Sequence, residues 1–304
     1  MHLVTLSDWD AGRIRELLAL AHKMKAQALK GTLRPTLQRK TLALLFEKSS
    51  MRTRVSFEVA MTQLGGHTVY LSRDDVNLGQ REPIRDGARV LSRYVDGIAA
   101  RVYSHRTVEE LAAYATVPVI NALSDEAHPC QALGDMMTIE ERFKDTRGLR
   151  VAFIGDPNNV ARSLALLCAK LGLGFAIACP EGYGFDAAFL KLFEGEARLS
   201  GSRMLVTHSP AEAAAQADVL YADVWVSMGQ EAEEDRRRRE FAGFCIDGAL
   251  VARASAHVIV MHCLPAHRGQ EITEEVIEGP HSVVFDQAEN RLHLQRALLH
   301  TLLG

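Results

Sequence analysis

The sequence predicts an α/β protein of two domains, each with a central, mainly parallel sheet flanked by helices, the two joined by interdomain helices. Short apolar runs alternate with helical patterns along the 304 residues. These runs are apolar at successive positions, as strands are when crossover helices bury both faces. The alternation also restarts after "KDTRGL" (144–149), where a long helical stretch gives way to glycine and a fresh strand. A chain of this length accommodates two domains of ordinary size.

The first series of predicted strands is "TLALLF" (41–46), "HTVYLS" (67–72), "GIAARV" (97–102) and "VPVIN" (117–121). Between the first two lies a helical pattern, "RTRVSFEVAMTQLGG", closing on Gly65 and Gly66 as a C-cap would. The helix opening at "HPCQALGDMMTIEERF" is expected to end near Gly148 and to form the boundary, giving domains of 1–134 and 135–287. The second series is "RVAFIG" (150–155), "FAIACP" (175–180), "MLVTHS" (204–209), "VLYADVW" (219–225) and "HVIVMHC" (257–263). The last helix, within 288–304, reads as amphipathic, with Leu292, Leu298 and Leu302 available to pack back on the first domain.

Bulk properties exclude several function classes. A net charge of −3 supplies no basic field for nucleic acid or an anionic membrane. The run "RRRR" at 236–239 follows "EAEED" and reads as a neutralised, solvated face. Five scattered cysteines without a C-x-x-C pair argue against a disulfide framework or structural zinc, and suit a reducing cytoplasm. No secretory leader and no membrane span are expected.

The turn after "RVAFIG" tests a dinucleotide reading. That site needs G-x-G-x-x-G, but Pro157 and Val160 stand where the second and third glycines belong. The turn offers Asp156, Asn158 and Asn159 instead, groups suited to a zwitterionic small molecule.

Polar residues collect where strands end. In "LLFEKSSMRTRVSF" (44–57), residues 50–54 fall at a predicted helix N-terminus, whose free N–H groups and dipole favour an anion by roughly 0.3–2 kcal/mol. Ser50 and Thr53 add hydroxyls, and the Arg52 guanidinium matches phosphate oxygens. Arg52 and Arg54 diverge by about 200° on a regular helix, so Arg52 is assigned to the anion and Arg54 to the scaffold. A capped, solvated turn is the alternative. In "HPCQ" (128–131), His128 and Gln131 could grip a planar carbonyl-and-amine group, or serve as a cap and a solvated side chain. Arg101, Asp223 and Cys263 each end a predicted strand, where open α/β sheets bind ligands. Cys263 could be a nucleophile, a proton acceptor or an inert buried thiol.

Taken together, "FEKSSMRTRVSFE", "HPCQ", "DVWVSMGQE", "HCLPAHRG" and "FDQAENR" resemble the carbamoyltransferase family over nearly the whole chain, with "SMG" and "HCLP" marking its ornithine branch. The resemblance implies transfer of the carbamoyl group of carbamoyl phosphate to the δ-amine of L-ornithine, in the service of arginine biosynthesis, with no metal or other cofactor. It implies that Ser50, Met51, Arg52 and Thr53 hold the phosphate and that Arg101 bridges phosphate and carbonyl. His128 and Gln131 would grip the carbamoyl group with the Cys263 and Leu264 backbone and Arg291. Asn77 would reach a neighbouring subunit's phosphate in a homotrimer or an assembly of trimers. Asn159, Asp223, Ser227 and Met228 would bind ornithine, and Cys263 would accept a proton. Three positions depart from the family pattern: Met51 and Pro83 stand where threonine and serine are usual, and Pro157 replaces a common glycine.

Overall fold

A computed structural model describes residues 1–76, 79, 82–226 and 231–304. The chain divides into two compact units: Met1–Met137 with Glu289–Gly304, and Thr138–Ala288.

In the first unit, helix α1 (Ala11–Leu29) is capped by Asp10, whose carboxylate accepts the Arg13 N–H. Strand β1 (Thr41–Phe46) follows, then α2 (Met51–Gln63), β2 (His67–Ser72), β3 (Gly97–Arg101) and β4 (Val119–Leu123). The sheet order is β2-β1-β3-β4, with all neighbours parallel. Strand β4 begins and ends two residues later than the sequence predicts. The β3–β4 ladder shifts register between Ala100 and Arg101, which pairs Arg101 with Leu123 and carries the strand past Asn121. Five of the six β1 residues are buried, as a central parallel strand requires. Gly65, at φ +82°, lets the chain reverse after α2 into β2.

Helix α3 (Pro129–Arg142) stops well short of Gly148. Asp145 and Arg147 form a local turn, with the Arg147 N–H donating to the Asp145 carboxylate at 3.0 Å. Gly148, at φ +77°, then opens the route to β5.

The second unit holds β5 (Arg150–Ile154), α4 (Asn159–Leu171), β6 (Gly174–Ala178), α5 (Ala187–Ser200), β7 (Met204–Thr207), β8 (Val219–Ala222), α6 (Glu234–Glu240) and β9 (Ile259–His262). Its order is β7-β6-β5-β8-β9, again parallel throughout. Ile154, Ala222, Phe241 and Val260 are buried in one core cluster with Trp225.

The final helix, α7 (Val284–Leu303), starts four residues earlier than the sequence suggests and is not simply amphipathic. Leu298 is buried, whereas Leu292 and Leu302 are only half-buried; Leu294, Leu299 and Leu303 carry the packing with Leu298. Gln295 and Arg296 are buried beside them. Among the described residues, no helix is long and apolar enough to cross a membrane.

The run at 236–239 also departs from expectation. Arg236 and Arg238 pair with Glu233 and Glu234 near the surface, as a solvated face would. Arg237 instead lies buried, with Nη1 3.2 Å from an Asp156 carboxylate oxygen and donating to the Trp225 carbonyl at 2.9 Å. Its guanidinium stands 5.2 Å from the Tyr183 ring centre and 5.7 Å from that of Phe241.

Candidate functional site

In each unit the sheet grows in both directions from its first strand, and ligands bind α/β sheets beyond the carboxyl ends of strands at such a reversal. In the first unit the reversal falls between β1 and β3. The turn 47–50 leaves β1 there, and Arg101 ends β3 there. The two exits are tied together: the Glu47 N–H donates to the Arg101 carbonyl at 2.9 Å, and the Glu47 carboxylate accepts the Tyr103 N–H at 2.7 Å.

Ser50 is the N-cap of α2, its hydroxyl oxygen accepting the Thr53 N–H at 3.4 Å and donating to the Thr53 hydroxyl at 3.2 Å. Thr53 is buried and Arg52 half-buried, whereas Met51 is 72% exposed, so only the Met51 backbone belongs to the helix start in any fixed way. Arg54 faces elsewhere: its Nε lies 2.9 Å from Glu58, and its guanidinium lies 3.8 Å from the Tyr70 ring centre. The twin arginines thus part as helical geometry requires.

His128 and Gln131 are both buried, which removes the solvated reading of Gln131. The His128 carbonyl accepts the N–H groups of Gln131 at 3.0 Å and Ala132 at 3.2 Å, so its backbone starts α3. The Gln131 amide nitrogen donates to Asp135 at 2.8 Å, and its oxygen accepts from Arg291 on α7. Gly134 permits that approach, since an added Cβ would stand 3.1 Å from the Arg291 Cδ. Burial, then the charges of Arg291 and Arg101, hold the His128 ring well below the ordinary imidazole pKa. His128 is therefore neutral at physiological pH. The neighbouring Cys130 thiol is pushed up to about 12 by burial, which makes it inert packing.

In the second unit the reversal lies between β5 and β8. Asn158, after β5, caps α4 by accepting the N–H groups of Val160 and Ala161 at 3.0 and 3.1 Å. Its amide also donates to the Asp223 carboxylate at 2.8 Å. Asn159 is the first residue of α4 and is buried. Asp223, just past β8, accepts further bonds from the Val224 N–H at 2.8 Å and the Cys263 thiol at 3.0 Å. Cys263 is half-buried beyond β9, so the fully buried, inert thiol is not what the fold builds.

Behind Cys263, the Leu264 N–H donates to His262 Nδ1 at 2.9 Å, leaving His262 Nε2 to donate to Glu271 at 3.1 Å. Donor atoms of Asp223, His262 and Cys263 all lie within 4.8 Å of one another. Both ring nitrogens of His262 are already engaged, so the cluster lacks a ready imidazole ligand and fits a hydrogen-bonded framework better than a cation.

Asn77, Ser227 and Met228 lie outside the described residues. The residues that sequence reasoning passed over are structural partners, Glu47 and Arg237, while Asn158, read from sequence as a ligand group, caps α4. Asn158 carried a signal, an Asx group at a helix start followed by an apolar run. Arg237 carried none, because one buried arginine inside a run of four looks like its neighbours. Asp156, read from sequence as a ligand group, instead faces Arg237. Burial raises its pKa, with Arg237 opposing the shift.

Both units resemble known proteins. Residues 1–141 match the description "Aspartate/ornithine carbamoyltransferase, carbamoyl-P binding domain", and residues 147–302 match "Aspartate/ornithine carbamoyltransferase, Asp/Orn binding domain". An ornithine carbamoyltransferase of Methanosarcina acetivorans is 52% identical over 301 residues, covering 99% of this chain and 98% of the relative. An anabolic ornithine carbamoyltransferase of Pyrococcus furiosus is 52% identical over 302 residues, covering 99% of this chain and 96% of its own. The solved structure of the Pyrococcus furiosus ornithine carbamoyltransferase superposes with a TM-score of 0.97 at 51% identity, covering 100% of this chain and 97% of the other. That of Thermus thermophilus gives 0.90 at 47% identity, covering 100% and 99%. With both family descriptions matched and such relatives spanning nearly all of it, the chain belongs to the aspartate/ornithine carbamoyltransferase family.

Proposed function

We propose that the chain transfers the carbamoyl group of carbamoyl phosphate to the δ-amine of L-ornithine, giving L-citrulline and phosphate. The observation that carries this reading is the pairing, at one sheet reversal, of the α2 N-terminus with Arg101 at the end of the neighbouring strand. An acyl phosphate bound there would meet backbone N–H groups, a hydroxyl and guanidinium forks. Carbamoyl phosphate is assigned to the first unit, through Ser50, Met51, Arg52, Thr53, Arg101, His128, Gln131 and Arg291. Ornithine is assigned to the second, through Asn159, Asp223, Ser227 and Met228. Cys263 and Leu264 contribute backbone groups to the carbamoyl end, and Asn77 completes the site of a neighbouring copy in a homotrimer. The five free cysteines suit a cytoplasmic enzyme.

Free alkyl ammonium groups have pKa values of roughly 10.4, so the attacking nitrogen must first lose a proton. Asp223, held by Asn158, Val224 and Cys263, is the anion that orients the amine, and Cys263 is the assigned proton acceptor, taking the amine proton as its own thiol proton passes along the hydrogen bond to Asp223. The nitrogen then bonds to the carbamoyl carbon, and negative charge builds on the carbonyl oxygen. Arg101, Thr53 and the neutral His128 ring stabilise that oxygen, by roughly 3–4 kcal/mol for a well-placed donor. The bond from carbon to the bridging phosphate oxygen breaks, Arg52 neutralises the departing phosphate, and the nitrogen surrenders its second proton to that phosphate. Steady-state assays of citrulline formation, with aspartate, putrescine and acylated ornithine as alternative acceptors, test the assignment. Absence of citrulline from pure, folded protein would sink it.

A further inference from the structure

A cavity of about 490 Å³ opens in the first unit beside α1 and the end of α7, lined in part by Leu20, Lys23, Met24, Arg34, Thr36 and His300. It belongs to none of the candidate groups above. Three of its lining side chains are basic in type, and no carboxylate among the described residues lines it. Lys23 and Arg34 form no ion pair among the described residues. The His300 ring is fixed against the Thr36 hydroxyl at 2.9 Å.

An independent feature lies behind the Met24 wall. Arg296 is 1% exposed, donates to the Met24 carbonyl at 3.3 Å and to the Gln63 amide oxygen, and pairs with no carboxylate among the described residues. Its Nε has no hydrogen-bond partner among them. A buried guanidinium without a counter-ion is costly, and a nearby anion relieves that cost. Arg296 and His300 are four residues apart on α7, hence on one face of the helix. Local positive charge therefore accumulates from both the surface and the interior, in a chain whose net charge is −3.

We propose that this cavity binds a small-molecule polyanion carrying two or more phosphate or carboxylate groups, separate from the carbamoyl-phosphate site. Its volume falls in the range of small-molecule pockets. A bound polyanion would bridge α1 to the α7 end.

Isothermal titration of the full chain with tripolyphosphate and, separately, citrate tests this, using the wild type, Arg52→Ala and the double variant Lys23→Ala/Arg34→Ala. The wild type and Arg52→Ala are expected to bind at least one of the two anions at a common site. The double variant should bind it at least ~10-fold more weakly, while citrulline formation is unchanged. The preferred anion identifies phosphate or carboxylate as the ligand class. Loss of all binding in Arg52→Ala would place both anions at the first site and overturn the proposal, as would unchanged binding in the double variant. Sedimentation in parallel covers the remaining outcome: if the double variant dissociates an assembly and neither anion binds the wild type, the basic groups serve a contact between copies and the proposal fails.

Discussion

Arg237 and Asp156 meet at 3.2 Å with both side chains almost fully buried, and the same guanidinium holds the Trp225 carbonyl. One cation thereby joins the turn after β5 to the segment after β8, the two segments that flank the reversal of the second sheet. Removing it strands a buried carboxylate. Arg237→Ala is expected to cost about 3–5 kcal/mol of stability, read by urea unfolding. Arg238→Ala, at the surface, should be nearly neutral; equal losses for the two would refute the distinction.

Arg52 and Arg54 should separate functionally as they do in space. Arg52→Ala is expected to weaken carbamoyl phosphate and phosphate by at least ~10-fold, with ornithine affinity much less affected. Arg54→Ala removes, among the described residues, contacts to Glu58 and Tyr70, and should leave phosphate affinity within about twofold. Product-inhibition kinetics on both variants would reveal a wrong assignment as equal losses for the two substrates.

Cys263→Ser keeps a hydroxyl donor toward Asp223, so its stability should change by no more than ~1 kcal/mol. Turnover should fall, and the pH profile of kcat should move, because a serine hydroxyl accepts and releases protons unlike a thiol. An unchanged profile would make the thiol a spectator.

His128 gives a pH dependence whose sign is fixed. Its folded-state pKa is depressed by burial, so as pH falls below about 6.5 the unfolded chain takes up a proton that the folded chain refuses. Its contribution is therefore intact above that pH and declines below it, by about 1.4 kcal/mol per unit until the folded-state pKa is reached. His128→Gln should flatten this part of the acid limb in urea midpoints measured between pH 5 and 7. Parallel curves for the two proteins would show that His128 does not titrate this way.

Much of this was legible in the residues. Each of the nine described strands overlaps a predicted run: central strands such as β1 and β5, buried on both faces, announce themselves as uninterrupted apolar stretches, while the edge strands β2 and β7 are far less buried and show through their β-branched and apolar residues. The helix start at Ser50 was legible for a related reason, since cap chemistry is local. Long-range pairing was not. The shift that carries β4 to Leu123 depends on its partner strand, and the burial of Arg237 depends on Asp156, 81 positions earlier in the chain. The face of α7 was misjudged because Arg296 and Gln295 look like solvent-facing residues until their surroundings are known. Periodicity detects apolar faces and is blind to polar side chains that the fold encloses.

Helix α7 begins in the second unit, and from Glu289 onward it belongs to the first. The first unit is therefore written in two instalments, separated by the whole of the second. During synthesis, residues 138–288 can assemble as one continuous stretch while the unit that started earlier still lacks Leu294, Leu298, Leu299 and Arg291. The unit translated first is the one completed last, and a nascent chain interrupted before residue 289 would display an unfinished first unit beside a finished second.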